Sequence, residues 1–164
     1  MKRLILLRHA KSSWDNPGLT DHDRPLAKRG ILDAPKIGKF LESNNIIPEL
    51  IICSTALRAK ETLNLVYNEI KKNVKIIFNE SIYNSNSNEL VNLISGTDND
   101  ITKLMIIGHN PDLEYLVEIL TDKDFPYTKY STAGLAIIDF SIDNWLSITD
   151  TVGNLKIYKT PKML

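Results

Sequence analysis

The sequence predicts a three-layer α/β/α sandwich around a mostly parallel mixed sheet, formed as a single domain over residues 1–164. Three observations predict it. Short continuous apolar runs recur along the first two thirds of the chain, as in strands buried on both faces. Amphipathic stretches with helical spacing separate those runs. The last third changes style and becomes rich in strand-like segments, which makes the sheet mixed.

The elements follow in order. The run at 4–7 (Leu-Ile-Leu-Leu) predicts the first strand. Residues 26–43 carry a helical stripe of Ile37, Phe40 and Leu41, with Pro35 inside it. Either the helix kinks there, or a short turn ends near Asp33 and a second helix begins at Pro35. The run at 50–53 predicts the second strand. In 57–70, Leu63, Val66, Tyr67 and Ile70 share one helical face. A third strand is expected at 75–78. Leu90, Leu93 and Ile94 then mark a helix over 89–95, and the run at 104–107 marks a fourth strand. Leu113, Leu116, Val117 and Leu120 form the stripe of a helix over 111–121, with Pro111 suited to its first turn. The tail predicts strands at 134–140, 145–149 and 154–159, the last one following a Val152-Gly153 turn.

Composition removes several functional classes. Lys and Arg total 20 and Asp and Glu total 20, so the formal net charge is zero. No broad cationic field exists to hold nucleic acid, so no nucleic-acid partner is expected. The single cysteine, Cys53, cannot form an internal disulfide, which fits a reducing compartment. The apolar run near the start is four residues long and is cut by Arg8. It is too short for a signal peptide or a membrane span, so a cytoplasmic protein without a membrane partner is expected. A monomer is expected, with no second domain suggested by repeats or linkers.

In open α/β sheets, ligands bind beyond the carboxyl ends of the strands, so the polar residues after each run matter most. Arg8 and His9 follow the first run. Ser54 and Thr55 follow the second, with Arg58 one helical turn on. Gly108, His109 and Asn110 follow the fourth. Two histidines and two arginines are thereby directed to one edge of the sheet from three strands. An imidazole with one nitrogen free and the other tied down is a nucleophile. Two guanidinium groups make a multi-donor clamp for phosphate oxygens. A second imidazole adds a donor where the transferring phosphoryl group sits. The combination points to phosphoryl transfer through a phosphohistidine intermediate.

These residues also resemble a known family. The string Arg8-His9-Ala10-Lys11-Ser12-Ser13-Trp14 resembles the opening signature of the histidine phosphatase superfamily, the phosphoglycerate mutase-like proteins. Ser54-Thr55-Ala56-Leu57-Arg58-Ala59-Lys60-Glu61-Thr62 resembles its Ser-x-x-x-Arg-Ala-x-x-Thr signature, and Gly108-His109-Asn110 its third. Residues 23–30 are similar to its Leu-Thr-x-x-Gly segment. The short length resembles most the SixA-type branch, the phosphohistidine phosphatases. The resemblance implies His9 as phosphoryl acceptor, Arg8 and Arg58 as phosphate ligands, and His109 as a donor to the phosphoryl oxygens. It implies no metal and no cofactor. Ala10 departs from the usual Gly, and its methyl group is expected to restrict the backbone there. Asp15 stands where the family's mutases carry Asn, which disfavours a mutase.

A general acid is sought after the third strand, where Glu80 lies, with Asp15, Asp21 and Asp23 as alternatives in the first loop. Ser12 is a candidate phosphate ligand. The plainer readings assign His22 and Arg24 to solvated surface, Trp14 to packing on the core, and Cys53 to a buried strand. The expected substrate is a phosphohistidine on a protein, with a small phosphorylated molecule as the alternative. A third possibility is a catalytically inactive module that holds phosphate or a phosphoprotein.

Overall fold

The computed structural model describes residues 1–164. Six strands form one sheet: β1 (Lys2–Arg8), β2 (Leu50–Ser54), β3 (Lys75–Asn79), β4 (Lys103–Gly108), β5 (Leu135–Phe140) and β6 (Asn154–Lys159). Their order is β3-β2-β4-β1-β5-β6, with β1 to β4 mutually parallel and β5 and β6 added antiparallel at one end. The helices are α1 (Lys28–Ser43), α2 (Leu57–Tyr67), α3 (Ser87–Ser95) and α4 (Asp112–Thr121).

The alternation of side chains along each strand feeds two separate cores. In β1, Leu4 and Leu6 join the core beneath α3 and α4, while Ile5 and Leu7 join the core beneath α1 and α2. The sheet is therefore covered on both faces, the expected three-layer sandwich. β1 and β4 are neighbours whose following helices lie on opposite faces. Their carboxyl ends lie at the point where the winding direction switches, the place where sheets of this kind bind ligands.

Three local expectations are corrected. Residues 28–43 form one helix that runs through Pro35, rather than two pieces. Position 35 would otherwise donate to Ile31, and Ile31 is half-exposed, so the freed carbonyl lies near the solvent face. The segment expected as a strand at 145–149 is instead a 3-10 turn at Trp145–Ser147. Its burial follows a spacing of three, with Trp145 and Ile148 inside and Leu146 outside, and the Asn144 side chain accepts from Leu146 N–H. β3 is an edge strand, so Ile77 and Phe78 are exposed where burial on both faces was expected.

Two glycines set the spacing of the layer beneath the site. A β-carbon at Gly30 would collide with the Lys11 carbonyl, and one at Gly38 with the Val66 carbonyl. The first close approach seats α1 against the loop that follows β1, and the second seats α1 against α2.

Candidate functional site

His9 directly follows β1 and is buried. Its Nδ1 lies 2.7 Å from the Ala10 carbonyl, so that nitrogen carries the proton and donates. Nε2 is left without a proton, and its lone pair accepts from Arg58 Nε–H at 3.4 Å. Burial, together with the nearby His109, Arg58 and Arg8, pushes the imidazole down to a pKa of about 3 despite its bond to the Ala10 carbonyl. A neutral ring with a fixed tautomer is the form a nitrogen nucleophile requires.

Arg58 comes from the first turn of α2 and is held by three contacts. It donates to the Asp21 carbonyl at 2.7 Å, to the Asp21 carboxylate at 3.1 Å, and faces His9. The Asp21 carboxylate also accepts from the Tyr83 hydroxyl at 2.6 Å and from Arg24 at 3.0 Å. The Tyr83 hydrogen bond, then Arg24 and Arg58, hold this carboxyl well below the usual carboxylate range. The charge of Arg58 is thus aimed by an ion pair anchored in the loop after β1.

His109 follows β4, and its ring centre lies 5.2 Å from that of His9. Its Nε2 is 2.7 Å from Ser54 Oγ, at the end of β2. The Ser54 oxygen already accepts from Ala56 N–H, so its own proton is free to go to His109 Nε2. That leaves the His109 proton on Nδ1, which is buried without a protein partner. Burial and the positive charge of Arg58 lower the His109 pKa to about 4. Arg8 completes the group. One of its Nη atoms donates to the Tyr130 carbonyl at 2.7 Å, and its Nε is likewise buried and unpaired with protein. Two buried donors without a protein partner, Arg8 Nε and His109 Nδ1, and the Arg58 guanidinium that bonds to His9 thus gather with His9 at the carboxyl ends of β1 and β4.

The second signature has a structural explanation. Ser54 orients His109, and Arg58 faces His9. Thr62 accepts from Ala10 N–H at 3.0 Å and donates to the Arg58 carbonyl at 2.7 Å. Ala10 is fully buried, and it is not among the residues of positive φ, so its methyl group is accommodated where restriction was expected.

Other expectations are placed differently. Glu80 is exposed at the end of β3, and no side-chain hydrogen bond or ion pair ties it to the histidines or arginines. Tyr83, three residues on, is the residue of that segment that enters the site, edge-on to His109 at 5.7 Å. Asp15 and Asp23 are exposed, and Asp23 accepts from Thr20. Ser12 is buried and accepts from Arg24 at 2.6 Å. Arg24, expected at the surface, is buried because it binds Ser12, the Ser13 carbonyl and Asp21 together. Trp14, expected to pack on the core, is exposed and stacks on Arg24 instead, 3.2 Å from ring centre to guanidinium carbon. His22 is not simply solvated. It bonds to Thr55 at 3.0 Å and packs edge-on against Tyr83. Sequence reading missed Tyr83 and Thr62 as contributors, although Thr62 stands in the quoted signature.

Comparisons with known proteins fit this geometry. A sequence profile of the histidine phosphatase superfamily, branch 1, matches residues 4–85. An uncharacterized chloroplastic protein of Arabidopsis thaliana is 35% identical over 153 residues, covering 88% of this chain and 69% of its own. The structure of a candidate phosphohistidine phosphatase SixA from Agrobacterium tumefaciens superposes with a TM-score of 0.84 at 28% identity, covering 98% of both chains. Another candidate SixA, from Nakamurella multipartitia, gives 0.85 at 20% identity, covering 98% of this chain and 96% of that one, a likeness of fold. With its site at the switch between β1 and β4 and its signatures in register, the chain belongs to the histidine phosphatase superfamily, branch 1, with a SixA-type architecture.

Proposed function

We propose that this phosphatase hydrolyses phosphohistidine on a protein through a phosphoryl intermediate on His9. His9 Nε2 attacks phosphorus while the bond from phosphorus to the substrate imidazole breaks. The bonding pair returns to that imidazole, which leaves neutral when its other nitrogen carries a proton. Phosphorylation at Nε2 makes the ring cationic, and the Ala10 carbonyl keeps accepting from the Nδ1–H that His9 already carries. Arg8, Arg58 and His109 Nδ1–H bind the phosphoryl oxygens as charge builds on them. Water then attacks phosphorus, the bond to Nε2 breaks, the water proton passes to solvent, and neutral His9 and inorganic phosphate result.

The observation that carries the choice of substrate is the state of Asp21. It is the loop carboxyl that reaches the cluster, and Tyr83, Arg24 and Arg58 keep it ionised. An ionised carboxylate positions Arg58 but has no proton for a leaving group. An alkyl phosphate ester departs as a poor leaving group and wants such a proton. A phosphohistidine brings its own proton on the second ring nitrogen. The exposed Glu80 is accordingly not assigned the acid role, and Ser12 serves Arg24 rather than the phosphate. We further propose that the protein is a cytoplasmic monomer that works without metal or cofactor.

The test is a substrate panel. Rates on a phosphohistidine protein are compared with rates on alkyl phosphate metabolites, with His9→Ala as the control. The proposal expects the phosphohistidine protein to be turned over with the higher kcat/KM. Preference for an alkyl phosphate would overturn it.

A further inference from the structure

Beside the catalytic cluster, on its β5 and β6 side, lies a cavity of about 440 Å³ lined by Arg8, Lys11, Arg29, Lys129 and Lys162, with Asp33 as its one carboxylate. Ser131, Thr132, Thr160 and Pro161 complete the wall. These cations arrive from four regions: the end of β1 and its loop, the first turn of α1, the loop before β5, and the tail after β6. Asp33 is already engaged by Arg29 at 3.4 Å and by Lys36 at 3.1 Å. Lys11, Lys129 and Lys162 form no ion pair with any protein carboxylate. In a chain of zero net charge, that concentration of unpaired positive charge is local and specific in place. Like charges gathered in one concavity repel one another, and an anion bound among them relieves the repulsion.

Arg8 belongs to both the cavity and the catalytic cluster, so an occupant of one lies next to an occupant of the other. We propose that the cavity docks acidic side chains of the substrate protein that flank its phosphohistidine. This rests on the protein-substrate reading above and names the sequence character of that substrate. The lining favours carboxylates over a second phosphate group. A tight phosphate site converges backbone N–H groups or paired guanidiniums on one point. Here the exposed lysines are point charges on flexible stems, spread around an open wall, which suits several carboxylates at adjustable positions.

The experiment uses two phosphohistidine peptides of equal length, one with Glu on both sides of the phosphohistidine and one with Gln. Wild-type protein is compared with Lys129→Gln/Lys162→Gln and with Lys71→Gln/Lys72→Gln, which removes the same charge from exposed positions between α2 and β3. Wild type is expected to prefer the Glu peptide by about tenfold in kcat/KM at low salt, with the preference shrinking as salt rises. The preference is expected to collapse in Lys129→Gln/Lys162→Gln and to persist in Lys71→Gln/Lys72→Gln. Equal rates on the two peptides with wild type, or a preference kept by Lys129→Gln/Lys162→Gln, overturns the docking proposal while leaving phosphohistidine hydrolysis standing. Turnover of neither peptide, with turnover of alkyl phosphates, overturns both. Strong competition by pyrophosphate that Lys129→Gln/Lys162→Gln abolishes, without any Glu preference, reassigns the cavity to a second phosphate and overturns the carboxylate proposal.

Discussion

Arg58 Nε lies 3.4 Å from His9 Nε2, on the ring nitrogen that the Ala10 carbonyl leaves without a proton. A cation facing the nucleophilic lone pair does two things. It disfavours protonation of the nitrogen, and it stands where a phosphoryl oxygen meets positive charge as His9 attacks. The relationship depends on Asp21, which holds the other end of the guanidinium.

Asp21→Asn removes the charge that aims Arg58 and leaves the side-chain shape. The expected result is a fall in kcat/KM of about 10–100-fold, since small misplacements of reacting groups cost about that much. Circular dichroism should show the fold intact. Tyr83→Phe, which removes one of the three donors to Asp21, is expected to have a smaller effect in the same direction. A kcat/KM for Asp21→Asn equal to wild type would show that Arg58 needs no such anchor.

Ser54→Ala removes the hydroxyl beside His109 Nε2. The ring then has no partner selecting the tautomer with Nδ1–H toward the phosphoryl group. A loss in kcat of about 10²-fold is expected, as for removal of a donor to a developing anion. Ser54→Thr keeps a hydroxyl and should retain more activity than Ser54→Ala if it folds, which steady-state kinetics can read directly.

The pH behaviour follows from two lowered histidines, His9 at about 3 and His109 at about 4. Both rings stay neutral in the folded protein well below the usual histidine value near 6.5. In the unfolded chain they take up protons as pH falls through about 6.5. Between that pH and about 4 the unfolded state therefore binds more protons, so stability rises with pH across the window. The expected outcome is a chemical-denaturation midpoint that drops as pH goes from 7 to 5. His9→Ala/His109→Ala should flatten that drop. An equally steep drop in the double variant would assign it to other groups.

Gly30→Ala places a methyl group against the Lys11 carbonyl. A destabilisation of about 1–3 kcal/mol is expected, the usual cost of overpacking a closely fitted site. Because Lys11 follows the His9 loop, activity at a temperature where the variant remains folded should also fall. Thermal melts and rates measured on the same sample separate the two effects.

Arg8, His9, Arg58 and His109 were legible in the sequence because each stands at or just beyond the end of an apolar strand, and a parallel sheet brings strand ends together. The four helices were legible from their stripes for the same periodic reason. Asp21 could be named as a candidate but not placed, since its bonds to Arg58 and Tyr83 span 37 and 62 residues and neither loop has any period. The burial of Arg24 was hidden for a similar reason. A lone arginine in a polar loop reads as surface until Ser12, the Ser13 carbonyl and Asp21 are seen to converge on it. Trp145 misled because a bulky apolar residue beside Leu146 resembles a strand. Its indole donation to the Ile101 carbonyl, which helps fix the turn, comes from across the fold.

The most direct test of the account is to find where the phosphoryl group goes. The protein is mixed briefly with a phosphohistidine donor, quenched in alkali to preserve phosphoramidates, digested, and sequenced by mass spectrometry. The account predicts a phosphoryl group on His9 in the wild type, and neither adduct nor turnover in a folded His9→Ala variant. A phosphoryl group trapped on any other residue, or turnover that survives His9→Ala, would contradict it.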